Sequence, residues 1–192
     1  MDGINKADKD YTFNTAIRTL SKSLNNSKVP CVFISYQRHD EDYASEIANY
    51  LKSREIDVYV DLTDMDLRLA RQLNKPERVT SSIKKGLNES DYMLVIVSST
   101  TYKSPWVPFE IGYAYESMGD NMKILRHKGL DRDSLPHYLQ VREVLNGRIP
   151  LAQFVGSIRS SYRIYESLSK AGKTKTYSSY LTSRLEDYLD YE

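Results

Sequence analysis

Tyr92-Met93-Leu94-Val95-Ile96-Val97, then Ser98-Ser99-Thr100-Thr101-Tyr102-Lys103-Ser104, then Pro105-Trp106-Val107-Pro108-Phe109-Glu110-Ile111-Gly112-Tyr113-Ala114, is the stretch on which the fold turns. The apolar run reads as a buried strand, and the Ser/Thr cluster after it as a turn. Ser104 suits a helix cap, Pro105 the first helical position and Gly119 a stop, so the spacing predicts a helix over residues 105 to about 118. On that helix Trp106 and Glu110 are four residues apart and share one face near the amino end. A strand, a polar turn and a helix start bearing an aromatic and a carboxylate frame a site for an anionic, ribose-bearing ligand.

The flanking sequence repeats the same alternation. Val32-Phe33-Ile34-Ser35-Tyr36 reads as a first, central strand, and Asp40 as the cap of a helix with its core face at Ala44, Ile47, Ala48 and Leu51. Asp57-Val58-Tyr59-Val60-Asp61 reads as a second strand, followed by a long polar connection from Leu62 to about Arg78 that suits a functional loop. Val79, Ile83 and Leu87 predict a helix before the strand at Tyr92, Met122-Lys123-Ile124-Leu125 a fourth strand, and Leu151, Phe154, Val155 and Ile158 a closing helix. The segment from Arg126 to Arg148 carries no clear period. The pattern predicts an α/β fold: a doubly wound parallel sheet of about five strands with helices on both faces. If its strand order is flavodoxin-like, a ligand cleft lies beyond the carboxyl ends of the first and third strands, at residues 36–39 and 98–101.

Both ends extend past this pattern. In residues 1–28, Phe13, Ile17, Leu20 and Leu24 recur at helical spacing, and in residues 161–192 Leu181, Leu185, Tyr188 and Leu189 do the same within a Tyr-rich tail. The central domain is therefore expected at residues 29–160, between amino- and carboxy-terminal helical extensions.

Composition narrows the function. With 192 residues the chain can bury a real core without disulfides or metals. Its 27 Lys and Arg against 26 Asp and Glu leave a net charge of +1, which argues against general binding to nucleic acid or to an acidic membrane. Cys31 has no partner cysteine, and the three histidines show no metal spacing with it. No apolar run approaches the roughly 18 residues of a membrane span, and the first residues lack a signal-peptide core. The expectation is a cytoplasmic protein that uses no metal. No Ser-His-Asp order or Gly-rich phosphate loop is present, and no acidic pair near the first strand suggests a phosphoacceptor domain.

These residues resemble a known family. Val32 to Tyr36, Val58-Tyr59-Val60-Asp61 with its long connection, and the Trp106-x-x-x-Glu110 pattern match, in order, three motifs of Toll/interleukin-receptor (TIR) domains, specifically the stand-alone bacterial kind that cleaves NAD+ in Thoeris-type antiphage defence. The resemblance implies a TIR fold and a sensor that makes a cyclic ADP-ribose isomer or an ADP-ribose conjugate. It further implies self-association through TIR contacts, a phage-derived trigger and a separate effector protein that reads the product. NAD+ would be the substrate, with no cofactor. Phe109 to Ala114 also resembles the catalytic helix of nucleoside deoxyribosyltransferases, which likewise break an N-glycosidic bond. A non-enzymatic TIR scaffold is the third reading.

The resemblance gives Glu110 the catalytic role, and Tyr36, Gln37, Arg38, Asp61, Ser98, Trp106 and Tyr113, at the strand ends and on the same helix, are the candidates to bind the substrate. Each also has a plainer reading. Glu110 can be a solvated helix carboxylate, Trp106 a core anchor, Gln37 and Arg38 loop residues, Ser98 a turn former and Asp61 a loop cap. Functionally, Arg38 suits the pyrophosphate, since a planar guanidinium pairs with phosphate oxygens, and Trp106 offers a flat surface for a base. His39 has no visible partner for base catalysis.

Overall fold

A computed structural model of the protein describes residues 2–8, 29–61, 75–131, 135–140, 142–161 and 184–191. Five strands form one parallel sheet: β1 (Cys31–Ser35), β2 (Asp57–Tyr59), β3 (Tyr92–Val97), β4 (Met122–Arg126) and β5 (Val144–Leu145). Their order is β2-β1-β3-β4-β5, the flavodoxin-like doubly wound arrangement, with the reversal between β1 and β3. The helices are α1 (Glu41–Ser53), α2 (Pro76–Asn88), α3 (Trp106–Met118) and α4 (Arg148–Ser161).

Alternation along the strands divides the core in two. Val32 and Ile34 of β1, with Leu94 and Ile96 of β3, pack under α1 and α4. Cys31 and Phe33, with Met93, Val95 and Val97, pack under α2 and α3. Because side chains alternate with period two, Ser35 at the end of β1 falls on the α2/α3 face. All six residues of β3 are buried, as a central parallel strand covered on both faces requires.

The central elements lie where the sequence predicts them, and the differences have local causes. β2 ends at Tyr59 rather than Asp61 because the backbone N–H and C=O of Val60 are taken by the Asn5 side chain. Asp40 precedes α1 but makes no side-chain cap there; its carboxylate accepts a hydrogen bond from Ser98 Oγ at 2.7 Å instead. Ser104 does cap α3, its hydroxyl accepting from the N–H of Trp106 (3.3 Å) and of Val107 (3.2 Å). Gly119 ends α3 at φ 48°, where a side chain would be strained. In the segment without a period, a 3-10 turn at His137–Leu139 leads to the two-residue β5.

Two terminal pieces join this core. Residues 2–8 run along the outer edge of β2, bridging Asn5 to Val58 in parallel. Leu185 and Leu189 are buried beside α1 and α4, and the Tyr188 ring stacks on Tyr43 at 4.8 Å. The expected helix through Phe13, Ile17, Leu20 and Leu24, the connection over 62–74, and residues 162–183 of the tail lie outside the described residues. Among the described residues no helix is long and apolar enough to cross a membrane.

Candidate active site

The organising contact of the site joins two elements that are distant in sequence. Ser35 ends β1, and Glu110 stands in the second turn of α3, which follows the neighbouring strand β3. The Ser35 hydroxyl donates to Glu110 Oε2 in a short hydrogen bond. Both residues are buried, Glu110 to 6% exposure and Ser35 to 1%. Glutamate is rarely buried this far unless it is paired, so the fold has a specific use for this carboxylate.

Glu110 lines a cleft of about 510 Å³, counting the part open to solvent. Around it the ends of β1 and β2 supply Tyr36, Arg38, Tyr59 and Asp61, and α2 supplies Ser82 and Ile83. Phe33 and Tyr59 stack with ring centroids 5.8 Å apart and form an aromatic side of the cleft. Gly86 of α2 makes room for them, since a Cβ there would lie 2.5 Å from the Tyr59 ring and 2.8 Å from Phe33. Tyr36 is fixed by its hydroxyl, which donates to the Asp61 carbonyl at 2.9 Å. Arg38 is exposed, and no hydrogen bond or ion pair among the described residues engages its guanidinium. A cationic fork at the rim, an aromatic pair inside and the buried carboxylates of Glu110 and Asp61 suit a ligand with an anionic group, a ring and a polar reacting centre.

Four of the eight residues picked from the sequence therefore meet in one cleft: Tyr36, Arg38, Asp61 and Glu110. The other four do not line it. Gln37 accepts from the His39 N–H and caps the 3-10 turn at Arg38–Asp40. Ser98 is tied to Asp40 and accepts from the Thr100 N–H at 3.1 Å, so it shapes the turn after β3. Trp106 packs edge-on against Phe109 at 6.2 Å, at the margin of the α2/α3 core. Tyr113 stacks on Phe109, reaches Asn88 at 3.4 Å and receives Lys84 over its ring at 5.4 Å. The cleft thus opens above β1 and β2 rather than at the Ser98 end of β3.

Several residues of the site were not singled out from the sequence. Ser35 carried a signal, being the polar residue on the same strand face as Phe33 at the carboxyl end of a central strand. Ala7 carried none, because nothing in the first eight residues announces pairing with β2. Among the described residues no group of His, Cys, Asp and Glu could hold a metal ion. Burial pushes the Cys31 thiol up to about 11, so it is an inert core side chain.

Comparison with known proteins follows the same lines. Residues 32–151 match the family model described as TIR domain. Over 169 residues the chain is 26% identical to a probable 2' cyclic ADP-D-ribose synthase, TcpO, of Methanobrevibacter olleyae, covering 85% of this chain and 45% of that protein. Over 99 residues it is 29% identical to a putative cyclic ADP-D-ribose synthase, TIR2, of Cytobacillus dafuensis, covering 52% of this chain and 26% of that one. The chain spans less than half the length of these curated relatives. The matched region runs from β1 into α4 and contains Ser35, Glu110 and the strands that bring them together; the chain belongs to the TIR-domain family.

Proposed function

We propose that the protein cleaves the nicotinamide–ribosyl bond of NAD+ and releases a cyclic ADP-ribose isomer or another ADP-ribose derivative as a signal. The carrying observation is the buried Glu110, held by Ser35, in a cleft that also presents Arg38 and aromatic rings. The names of the two relatives, both cyclic ADP-D-ribose synthases, support the same reading.

The chemistry suits one carboxylate. Nicotinamide is cationic in NAD+ and leaves as a neutral base, so no general acid is needed. Positive charge then develops on the ribose, and a fixed carboxylate in a partly dry cleft stabilises it directly or through the ribose hydroxyls. Ser35 orients the carboxylate, Arg38 pairs with the pyrophosphate, and the Phe33–Tyr59 side shields the reacting centre from water. The ribosyl centre is then captured by the substrate's own adenine, by another acceptor or by water, according to how the cleft folds the nucleotide.

In this reading the protein works in the cytoplasm, assembles through TIR contacts in response to a phage-derived trigger, and passes its product to a separate effector protein. Incubating the purified protein with NAD+ and resolving the products by mass spectrometry tests it. Nicotinamide release with an ADP-ribose-derived product is expected, and Glu110→Gln should lower it by about 10²-fold or more while the fold is kept. Nicotinamide release within a few-fold of wild type from Glu110→Gln removes the carboxylate from the mechanism. Transfer between deoxynucleosides, or no turnover in any assembled state, would favour the transferase or the scaffold.

A further inference from the structure

Residues 2–8 are built into the domain at several points. The chain passes β2 so closely that a Cβ on Gly3 would collide with the Ile56 carbonyl. Gly3 N donates to Lys52 O at 2.7 Å, Val58 N to Ile4 O at 2.9 Å and Lys6 N to Val58 O at 2.7 Å. The Ile4 N–H donates to a carboxylate oxygen of the buried Asp57 at 3.1 Å. Asn5, itself 9% exposed, acts in place of backbone: Nδ2 donates to Val60 O at 3.0 Å and Oδ1 accepts from Val60 N at 3.1 Å. The same Oδ1 accepts from the Ala7 N–H at 3.2 Å, which turns the chain inward. That turn sets Ala7 on the Phe33–Tyr59 side of the core and in the lining of the cleft that holds Glu110.

We propose that this amino-terminal strap is a wall of the nucleotide site, with Ala7 a specificity-determining residue that touches the bound dinucleotide and Asn5 the residue that positions it. This rests on the reading of the cleft as an NAD+ site. The strap does more than cover a sheet edge. Asn5 grips Val60 immediately before Asp61, so one side chain sets both the strap and the end of β2 that the cleft uses. Alanine at position 7 leaves room that a larger side chain would fill.

Two variants separate the wall from mere stability. Ala7→Leu leaves the strap hydrogen bonds described above in place, since none of them uses the Ala7 side chain, and adds bulk inside the cleft. It should raise the KM for NAD+ about tenfold, leave kcat within about threefold, and shift Tm by less than about 2 °C. Gly3→Ala, outside the cleft lining, should dislodge the strap and raise KM as well. A binding readout independent of turnover is available because Cys31 is buried and is the chain's one cysteine. In an Ala7→Cys, Glu110→Gln protein, NAD+ should slow alkylation of the new thiol at least about fivefold. Turnover by wild type with an unchanged KM in Ala7→Leu, or an unprotected thiol while NAD+ binding is seen by calorimetry, overturns the strap's role alone. A wild type that neither turns over NAD+ nor binds it overturns the functional reading and the strap's role together.

Discussion

The hydroxyl of Ser35 donates to the carboxylate of Glu110 across the junction of β1 and α3, so the acid of the cleft is held by the end of the neighbouring strand. This contact ties the geometry of the carboxylate to the sheet rather than to the helix that carries it. Ser35→Ala would leave a buried carboxylate oxygen without this donor, and a hydrogen bond to a charged group contributes about 1.5–3 kcal/mol. The expected outcome is a fall in kcat/KM of about 10- to 100-fold, smaller than that of Glu110→Gln, with partial recovery in Ser35→Thr. Steady-state kinetics on the three variants checks it; a Ser35→Ala protein as active as wild type makes the contact incidental.

Gly86 connects α2 to the same cleft. Its missing side chain is the space into which Phe33 and Tyr59 stack, so Gly86→Ala must push one or both rings out of place. Crowding of a packed core costs typically about 1–3 kcal/mol, and here the displaced rings line the cleft. The variant should lose both Tm and NAD+ affinity, whereas Gly156→Ala, where a Cβ meets open space on α4, should gain roughly 0.5–1 kcal/mol and leave turnover alone. Thermal melts paired with KM values distinguish the two; equal effects at both glycines would refute the packing argument.

Asp40 gives a prediction about pH. Burial raises its pKa above the ordinary 3.8, while the Ser98 hydrogen bond and the nearby His127 and His39 pull it down. The folded state therefore holds this proton at a higher pH than the unfolded chain does. The group's contribution to stability is present below pH 3.8 and is lost as pH rises through the raised folded value. Asp40→Asn keeps an acceptor for Ser98 and removes the charge. Its stability relative to wild type should thus improve as pH rises from about 4 toward neutrality, then level off. Denaturant unfolding of both proteins across that range is the measurement, and a difference that stays flat with pH would contradict the burial argument.

How far the sequence reached depended on the kind of signal. β3 and α1 were legible because six consecutive apolar residues and an i, i+3, i+4, i+7 face are unambiguous patterns. β5 was not, since two residues cannot show a period and its place comes from pairing with β4. In the site, Glu110, Tyr36, Arg38 and Asp61 could be read because strand ends and helix starts converge in this fold. Trp106 and Tyr113 share Glu110's helix, but α3 is apolar on more than one side, so spacing did not say which residues face the cleft. The strap stayed hidden because it is held by a single backbone bridge to Val58 and by side-chain hydrogen bonds of Asn5, which leave no mark in hydrophobic pattern.

Trp106 is the sharpest case of a residue with two roles on offer. The sequence presents it as a surface for stacking a base one turn from Glu110. The structure sets it edge-on to Phe109 and partly buried at the margin of the α2/α3 core, and it is not among the residues lining the cleft. Trp106→Ala should therefore cost about 1–3 kcal/mol of stability through lost packing, below the ~3–5 kcal/mol of a fully buried aromatic. NAD+ consumption at a temperature where the variant stays folded should remain within a few-fold of wild type. The ratio of cyclised to hydrolysed product should not move, because that ratio reports how the cleft folds the nucleotide and excludes water. Ala7→Leu, acting from inside the cleft, should move the ratio instead. Parallel measurement of Tm, nicotinamide release and each product for both variants separates an anchor from a stacking platform. A shifted ratio with an unchanged Tm in Trp106→Ala would place the indole on the substrate after all.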